Sequence, residues 1–309
     1  MQVVGNENHT GFTLTSAKVQ LVEVNFKNEK FVLQNIDEAY FDEHLNLAED
    51  KETKITSFLQ TAFNELLIRN HLAASSVSFT LPIEMFHNVQ IPYDNTLLYQ
   101  DLLEEISWEL SILFPFVNPK ELVIQHIEIE KNKIVNRDTI LVSALRRKYL
   151  QIIKYFCDEN NLTLRYVDNS HFASERALSS VYNLKDAVTL SLFVSSNCLS
   201  LIFSLEGKPV FFRTVTYNSA MEIPGIILKE TSTGETVNIN RSLIDSAYIS
   251  GEDISDSFVI SLNSNTGIEF ERFNPFENIN PDPRLLENIN FSQKFNTFSP
   301  AAGIAYRLV

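Results

Sequence analysis

Asp168, His171 and Glu175 follow one another at spacings of three and four in YVDNSHFASERAL, which can place two carboxylates and an imidazole on one helical face. Such donors could hold a divalent metal, and Asp168 and His171 are where an enzyme using a cleft for its own chemistry would be sought. The plainer reading is that Asp168 ends a strand and caps the helix after it, because no second pair of ligands accompanies the trio. Ser195-Ser196-Asn197 could supply a nucleophile, but without flanking glycines a break between strands explains it better. His9, His44, His71, His87 and His126 form no HExxH or paired spacing and read as surface or hydrogen-bonded structural residues. Cys157 and Cys198 make no CxxC and sit on apolar patterns, as buried free thiols do. Arg146-Arg147-Lys148 is the one basic cluster and marks a turn more readily than an anion site. Glu104, Glu105 and Glu109 read as the solvated face of a helix. The lone tryptophan, Trp108, lies on that helix and is expected mainly in its core, with a partner groove as the other reading.

The elements that must position these groups belong to a folded chain of 309 residues, 44% hydrophobic. With 25 Lys and Arg against 39 Asp and Glu, the net charge of −14 opposes docking on nucleic acid or anionic lipid and favours a protein or peptide partner. No run approaches the roughly 18 apolar residues of a membrane span, and MQVVGNENHTG lacks the regions of a signal peptide, so a cytoplasmic location is expected. Glycine is scarce: 8 residues, none between Gly11 and Gly207. A loop that turns several N–H groups toward one phosphate needs backbone without Cβ, so this long stretch holds no Walker loop, GxGxxG or GxSxG elbow.

Alternation in FTLTSAKVQLVEVNF and FVLQNID predicts antiparallel strands joined at Lys27-Asn28-Glu29-Lys30. An acidic stretch from Asp37 to Glu52 follows. Ile55, Phe58, Leu59, Ala62, Phe63, Leu66 and Leu67 recur as on an amphipathic helix. SVSFTLP, ELVIQHIEIE, DTILVSALR and LTLRYVD read as strands, and KYLQIIKYFCDENN and about 172–182 as helices. Asp94 or Asn95 is expected to cap the helix carrying Leu98, Leu102, Ile106, Leu110 and Leu113, which Pro115 ends. TLSLFVSSNCLSLIFSLEGKPVFFRTV then repeats the first arm in outline, including a turn at Glu206-Gly207-Lys208. Two such units roughly 180 residues apart suggest a duplicated α/β protein with a cleft between halves.

In this order the motifs resemble those of the PilM pilus-assembly family, actin-like proteins related to the cell-division protein FtsA. Gly11, Val19, Leu21, Val22 and Glu23 agree with its GIDIGSSSVKLVEL-like opening arm. TLPIEMFHNVQIP resembles the segment before an inserted subdomain, and Trp108, Glu109, Pro115 and Phe116 match a WEAEQYIPF-like helix end. SGEDISDSFVISLNSNTGIEFERFNPFENI and SPAAGIAYRL resemble the family's Gly-Gly loop, NPF-like turn and final helix. The resemblance implies an actin-like, ribonuclease H-like duplicated α/β fold. Residues 1–183 would form the first half, with a small subdomain inserted at about 78–145, and 184–309 a second half truncated between about 214 and 249. It also implies that a short cytoplasmic peptide of a membrane-anchored partner sits between the inserted subdomain and the first half. It carries no peptide-contact residue over to this chain.

The departures from that family bear on its cofactor, ATP with magnesium. Thr13 and Thr15 replace the Asp that places the metal and the Gly that lets backbone approach phosphate. The second loop falls at Ser191 and Phe193 or one residue later, at Leu192 and Val194; neither register supplies Asp or Gly. Gly251 is followed by Glu252 in place of a second glycine. A carboxylate about 4 Å from a phosphate oxygen costs about 1 kcal/mol in water and about 4 at an effective dielectric of 20. The segment between Arg213 and Ser250 is polar and strand-like in its middle, with Pro224 and a turn at Ser232-Thr233-Gly234, too short for the helices that wall the adenosine pocket. The expectation is a vestigial nucleotide site on a non-catalytic scaffold of a type IV pilus or related secretion machine. An ATP-binding switch of the same fold is the first alternative, and an enzyme with unrelated cleft chemistry the second.

Overall fold

Fourteen strands in three sheets make up the frame of the computed structural model, which describes residues 7–28, 30–232, 239 and 241–307. In the first half β1 (Glu7–Leu14), β2 (Lys18–Lys27) and β3 (Lys30–Tyr40) form an antiparallel meander, and β4 (Ser76–Leu81) joins β1 in parallel after helix α1 (Glu52–Arg69). Strand β1 is buried on both faces over most of its length, so the polar His9, Thr10 and Thr13 are enclosed along with Phe12 and Leu14. Helix α1 buries Ile55, Leu59, Ala62, Phe63 and Leu66, and Phe12 stacks on Phe79 with centroids 4.9 Å apart in the core below it.

Between β4 and β8 the chain builds a separate three-stranded sheet from β5 (Phe86–Pro92), β6 (Leu122–Ile129) and β7 (Thr139–Arg146), with β7 central and helix α2 (Tyr99–Leu113) crossing between β5 and β6. The expected start of this insertion, residue 78, falls inside β4 of the first sheet. Side chains along β7 alternate between faces. Ile140, Val142 and Ala144 pack with Leu102, Ile106 and Leu110 of α2. Leu141 joins the core of the second half, and Leu145 that of the first. The insertion therefore leans on both halves. Its Gln90 donates from Nε2 to the Val210 carbonyl (3.0 Å) and accepts from the Phe212 amide (3.4 Å), covering the open edge of a second-half strand.

Helix α3 (Arg147–Glu159), strand β8 (Thr163–Asn169) and helix α4 (Ser170–Val181) complete the first half. The second half repeats it with β9 (Val188–Val194), β10 (Cys198–Leu205), β11 (Lys208–Thr216), helix α5 (Ile223–Glu230), β12 (Ser246–Gly251), helix α6 (Asp256–Thr266) and β13 (Phe270–Arg272). The order β3-β2-β1-β4-β8 in one sheet matches β11-β10-β9-β12-β13 in the other, so the duplication suggested by the two hairpins extends to five strands. A short β14 (Asn280–Pro281) crosses back onto β3, followed by α7 (Ile289–Ser292) and α8 (Ser299–Ala305). The turn at Glu206-Gly207 carries positive φ at both residues, as a tight hairpin requires.

Segment 223–230 is a helix with Pro224 in its first turn, where a missing N–H costs nothing; most of the polar stretch expected to be strand-like lies after it, outside the described residues. One local expectation needs correction. Asp94 caps only a local turn, accepting from the Thr96 amide at 2.9 Å, and α2 starts after Leu98 with no side-chain cap. The Ser232-Thr233-Gly234 turn and the centre of the Lys27–Lys30 turn lie outside the described residues. Among the described residues no helix is long and apolar enough to cross a membrane.

Candidate functional site

The two hairpins at the cleft make the same first bond: Thr15 N–H donates to the Lys18 carbonyl (3.0 Å) and Ser195 N–H to the Cys198 carbonyl (2.9 Å). This equivalence sets the register of the second loop. Phe193 and Ser195 correspond to Thr13 and Thr15, so neither Ser191 with Phe193 nor Leu192 with Val194 is the correct pairing. In the first hairpin the Thr15 hydroxyl accepts from the backbone N–H of Ala17 (3.2 Å) and Lys18 (3.1 Å). The amides that a phosphate loop would offer to an anion are thus taken by a side chain. Thr13 is buried, its hydroxyl accepting from Thr80 at 2.9 Å.

Between the hairpins lies a cavity of about 660 Å³ whose walls include Leu45, Leu47, Pro82, Ile83, Met85, Tyr149, Phe193 and Gly251. Leu45 and Leu47 come from the acidic stretch after β3: they bury and turn residues 44–48 into a wall of the cleft. Two carboxylates enter it. Glu84, from the turn after β4, accepts a hydrogen bond from the Ser195 hydroxyl and so ties the first half to the second hairpin. Glu252 follows Gly251, its amide donating to the Val194 carbonyl at 2.9 Å, and burial pushes its carboxyl up despite the nearby Lys18. Gly251 has φ +115°, and a Cβ there would stand 2.1 Å from the Val194 carbonyl oxygen, so this glycine is required by strand packing whether or not a nucleotide binds. Lys18 is engaged with Glu38 at 2.9 Å. Burial pushes Glu38 up, but hydrogen bonds from Lys294 and Lys18 outweigh it and hold the carboxyl below its usual range. Among the described residues lining the cavity, Arg146 is the one Lys or Arg.

Asp168, His171 and Glu175 do not converge. Asp168 pairs with Arg307 (3.2 Å) and lies 3.9 Å from Arg176. Asn169, not Asp168, caps α4, accepting from the amides of His171 and Phe172. His171 and Glu175 point from α4 into the second half. The Ser191 and Ser204 hydroxyls donate to Glu175, Ser191 also contacts His171 Nε2 at 3.0 Å, and Ser200 contacts Nδ1 at 2.7 Å. Because Ser191 donates to Glu175, it must accept from Nε2–H, which leaves Nδ1 to accept from Ser200. Burial pushes the His171 pKa down to about 3 and the Glu175 carboxyl up. This is an interlobe lock. Cys157 and Cys198 are buried free thiols, each pushed up to about 12 by burial.

A second cavity, of about 700 Å³, opens between the inserted sheet and the first half. Ile127, Leu141, Ser143 and Leu145 face Leu164, Val167 and Phe172 across it, with Arg165, Arg176 and Arg307 at its rim. Strands β6 and β8 are both sheet edges, so each presents unpaired backbone groups there. Trp108 is not part of this groove, nor of the core: it is 60% exposed on the outer face of α2.

No family model matches this chain, and no curated protein does. Solved structures do. A chain of the PilM–PilN type IV pilus biogenesis complex superposes with a TM-score of 0.75 at 18% identity, covering 97% of this chain and 98% of that one. A Bacteroides thetaiotaomicron protein of actin-like ATPase fold and unknown function gives 0.54 at 10% identity, with coverage of 87% and 92%. The ethanolamine utilization protein EutJ from Carboxydothermus hydrogenoformans gives 0.51 at 9% identity, with coverage of 98% and 90%. The chain therefore has the actin-like ATPase fold. Within that class its fold is PilM-like, as its motifs suggested.

Proposed function

We propose that the chain is a non-catalytic, actin-like component of a type IV pilus or related secretion machine, working by shape and without nucleotide. The observation that carries this reading is the Thr15 hydroxyl bonded to the Ala17 and Lys18 amides. Phe193 and the carboxylates of Glu84 and Glu252 at the other loops act in the same sense, by bulk and by charge. The test is thermal unfolding with millimolar Mg-ATP. A ligand held only by the folded state at a Kd of about 10 μM would add about 2.7 kcal/mol at a hundredfold excess. No shift of the melting temperature is expected; a clear one would establish the ATP-binding switch in its place.

The groove between the inserted sheet and the first half is the proposed seat of a short cytoplasmic segment from a bitopic inner-membrane partner, which would bring this protein to the membrane. Two facing strand edges and an apolar floor suit an extended peptide with apolar side chains; Arg165, Arg176 and Arg307 at the rim are already paired with Glu7 and Asp168. Ile127 is half exposed on the groove wall, so Ile127→Glu should leave folding intact. It is expected to weaken binding of the partner's cytoplasmic peptide at least about tenfold, or about 1.4 kcal/mol, in calorimetry. Unchanged affinity would place the peptide elsewhere.

A further inference from the structure

Helix α2 carries more apolar surface than its own packing uses. Leu102, Ile106 and Leu110 fill the inserted sheet, whereas Trp108, Ile112 and Phe116 are 60%, 53% and 96% exposed. Trp108 and Ile112 are spaced by four and form one apolar track about 6 Å long, which Phe116 extends past the helix end. Asp101, Glu104, Glu105 and Glu109 flank this track, and none of them has an ion-pair or hydrogen-bond partner among the described residues. An exposed aromatic anchor beside unpaired carboxylates calls for an apolar, cationic partner. A second copy of the same face would set four carboxylates against four, on chains that each carry −14. An extended strand has no edge to pair with here, whereas a helix presents side chains at the same spacing of three and four.

We propose that the outer face of α2 is a docking surface for a basic amphipathic helix of another protein, separate from the peptide groove. The helix lays apolar residues over Trp108, Ile112 and Phe116 and places Lys or Arg beside Glu104, Glu105 and Glu109.

Trp108 is the sole tryptophan and reports its own burial. The probe is a synthetic peptide of about 18 residues with Leu on one face and Lys on the other, titrated into the full chain with fluorescence and calorimetry as readouts. The expected result is a blue shift of the emission with saturable binding that weakens with salt. The triple variant Glu104→Gln/Glu105→Gln/Glu109→Gln should lose at least about tenfold in affinity. A control triple with the same charge change, Asp42→Asn/Glu159→Gln/Glu287→Gln, should bind like the parent; four of the six side chains are exposed and Glu105 and Glu109 are half-buried, so folding is retained in both triples. No blue shift, equal loss in both triples, or equal binding of a peptide with Glu in place of Lys would each overturn the proposal. So would self-association of the chain through Trp108 detected by sedimentation in the absence of peptide.

Discussion

Replacing Gly303 with alanine is expected to cost about 3 kcal/mol or more and to loosen the two halves from each other. Helices α4 and α8 cross between the halves, and a Cβ on Gly303 would stand 1.7 Å from the Ala173 carbonyl oxygen and 2.5 Å from its carbon. Both atoms are backbone, so no side chain can swing aside. The helices would have to separate, opening the contacts of Ala177, Ala301, Ala302 and Ala305, all wholly buried. Interiors packed to crystal density give up such contacts at a cost that is large beside a total stability of about 5–15 kcal/mol. Urea unfolding measures the loss. The matched control is Gly225→Ala in α5, where a Cβ meets nothing within 4 Å. That change should be neutral or stabilising by up to about 1 kcal/mol. Equal midpoints for the two variants would show that the crossing tolerates separation.

What could be read in advance was whatever a local pattern encodes. The β1–β2 and β9–β10 hairpins, helix α1 with Ile55, Leu59 and Leu66, and the strand–helix succession from β7 to α4 follow from periodicity, because each element buries a repeating set of residues. Three-dimensional partners left no such trace. Glu84 meets Ser195, 111 positions later, with nothing in either segment to mark the pair. Leu45 and Leu47 sit in an acidic stretch whose composition suggests solvent, yet both bury because the cleft needs a wall. Trp108 was expected in a core, but three aliphatic residues one helical turn apart already fill the sheet beneath α2, and pattern alone does not say which apolar residue is surplus. The register of the second loop failed for a related reason: the alternation of Val188-Thr189-Leu190-Ser191-Leu192 gives way to Phe193-Val194, the whole strand is buried, and nothing local marks which residue matches the first loop. The filled first loop was legible as a loss of Asp and Gly. That Thr15 would itself take the vacated amides needed the hairpin's geometry.

The interlobe lock leads to a second large effect, on the pH dependence of stability. His171 is fully buried with a pKa of about 3, against 6.5 when exposed. Below about pH 6.5 the unfolded chain takes up a proton that the folded chain refuses until about pH 3, so stability falls with pH across that window. At full slope one proton is worth about 1.4 kcal/mol per pH unit, and the whole window roughly 5 kcal/mol. Glu175 acts in the opposite direction. Burial raises its carboxyl, so the folded chain is protonated before the unfolded one and gains stability as pH falls toward the ordinary glutamate range. The two effects share Ser191 and partly offset, which makes the absolute acid limb a poor measure of either. Comparison with His171→Gln isolates the imidazole, since glutamine can keep an acceptor toward Ser200 and a donor toward Ser191 but takes no proton. Between pH 7 and 4.5 the parent is expected to lose about 2.5 kcal/mol more than this variant in urea unfolding. The ring resonances of His171 in the parent should not titrate above pH 5, a measurement that holds even if the variant folds poorly. Parallel acid limbs in the two proteins, or a ring that titrates near 6.5, would mean that water or a proton reaches this network and that the halves are not locked through it.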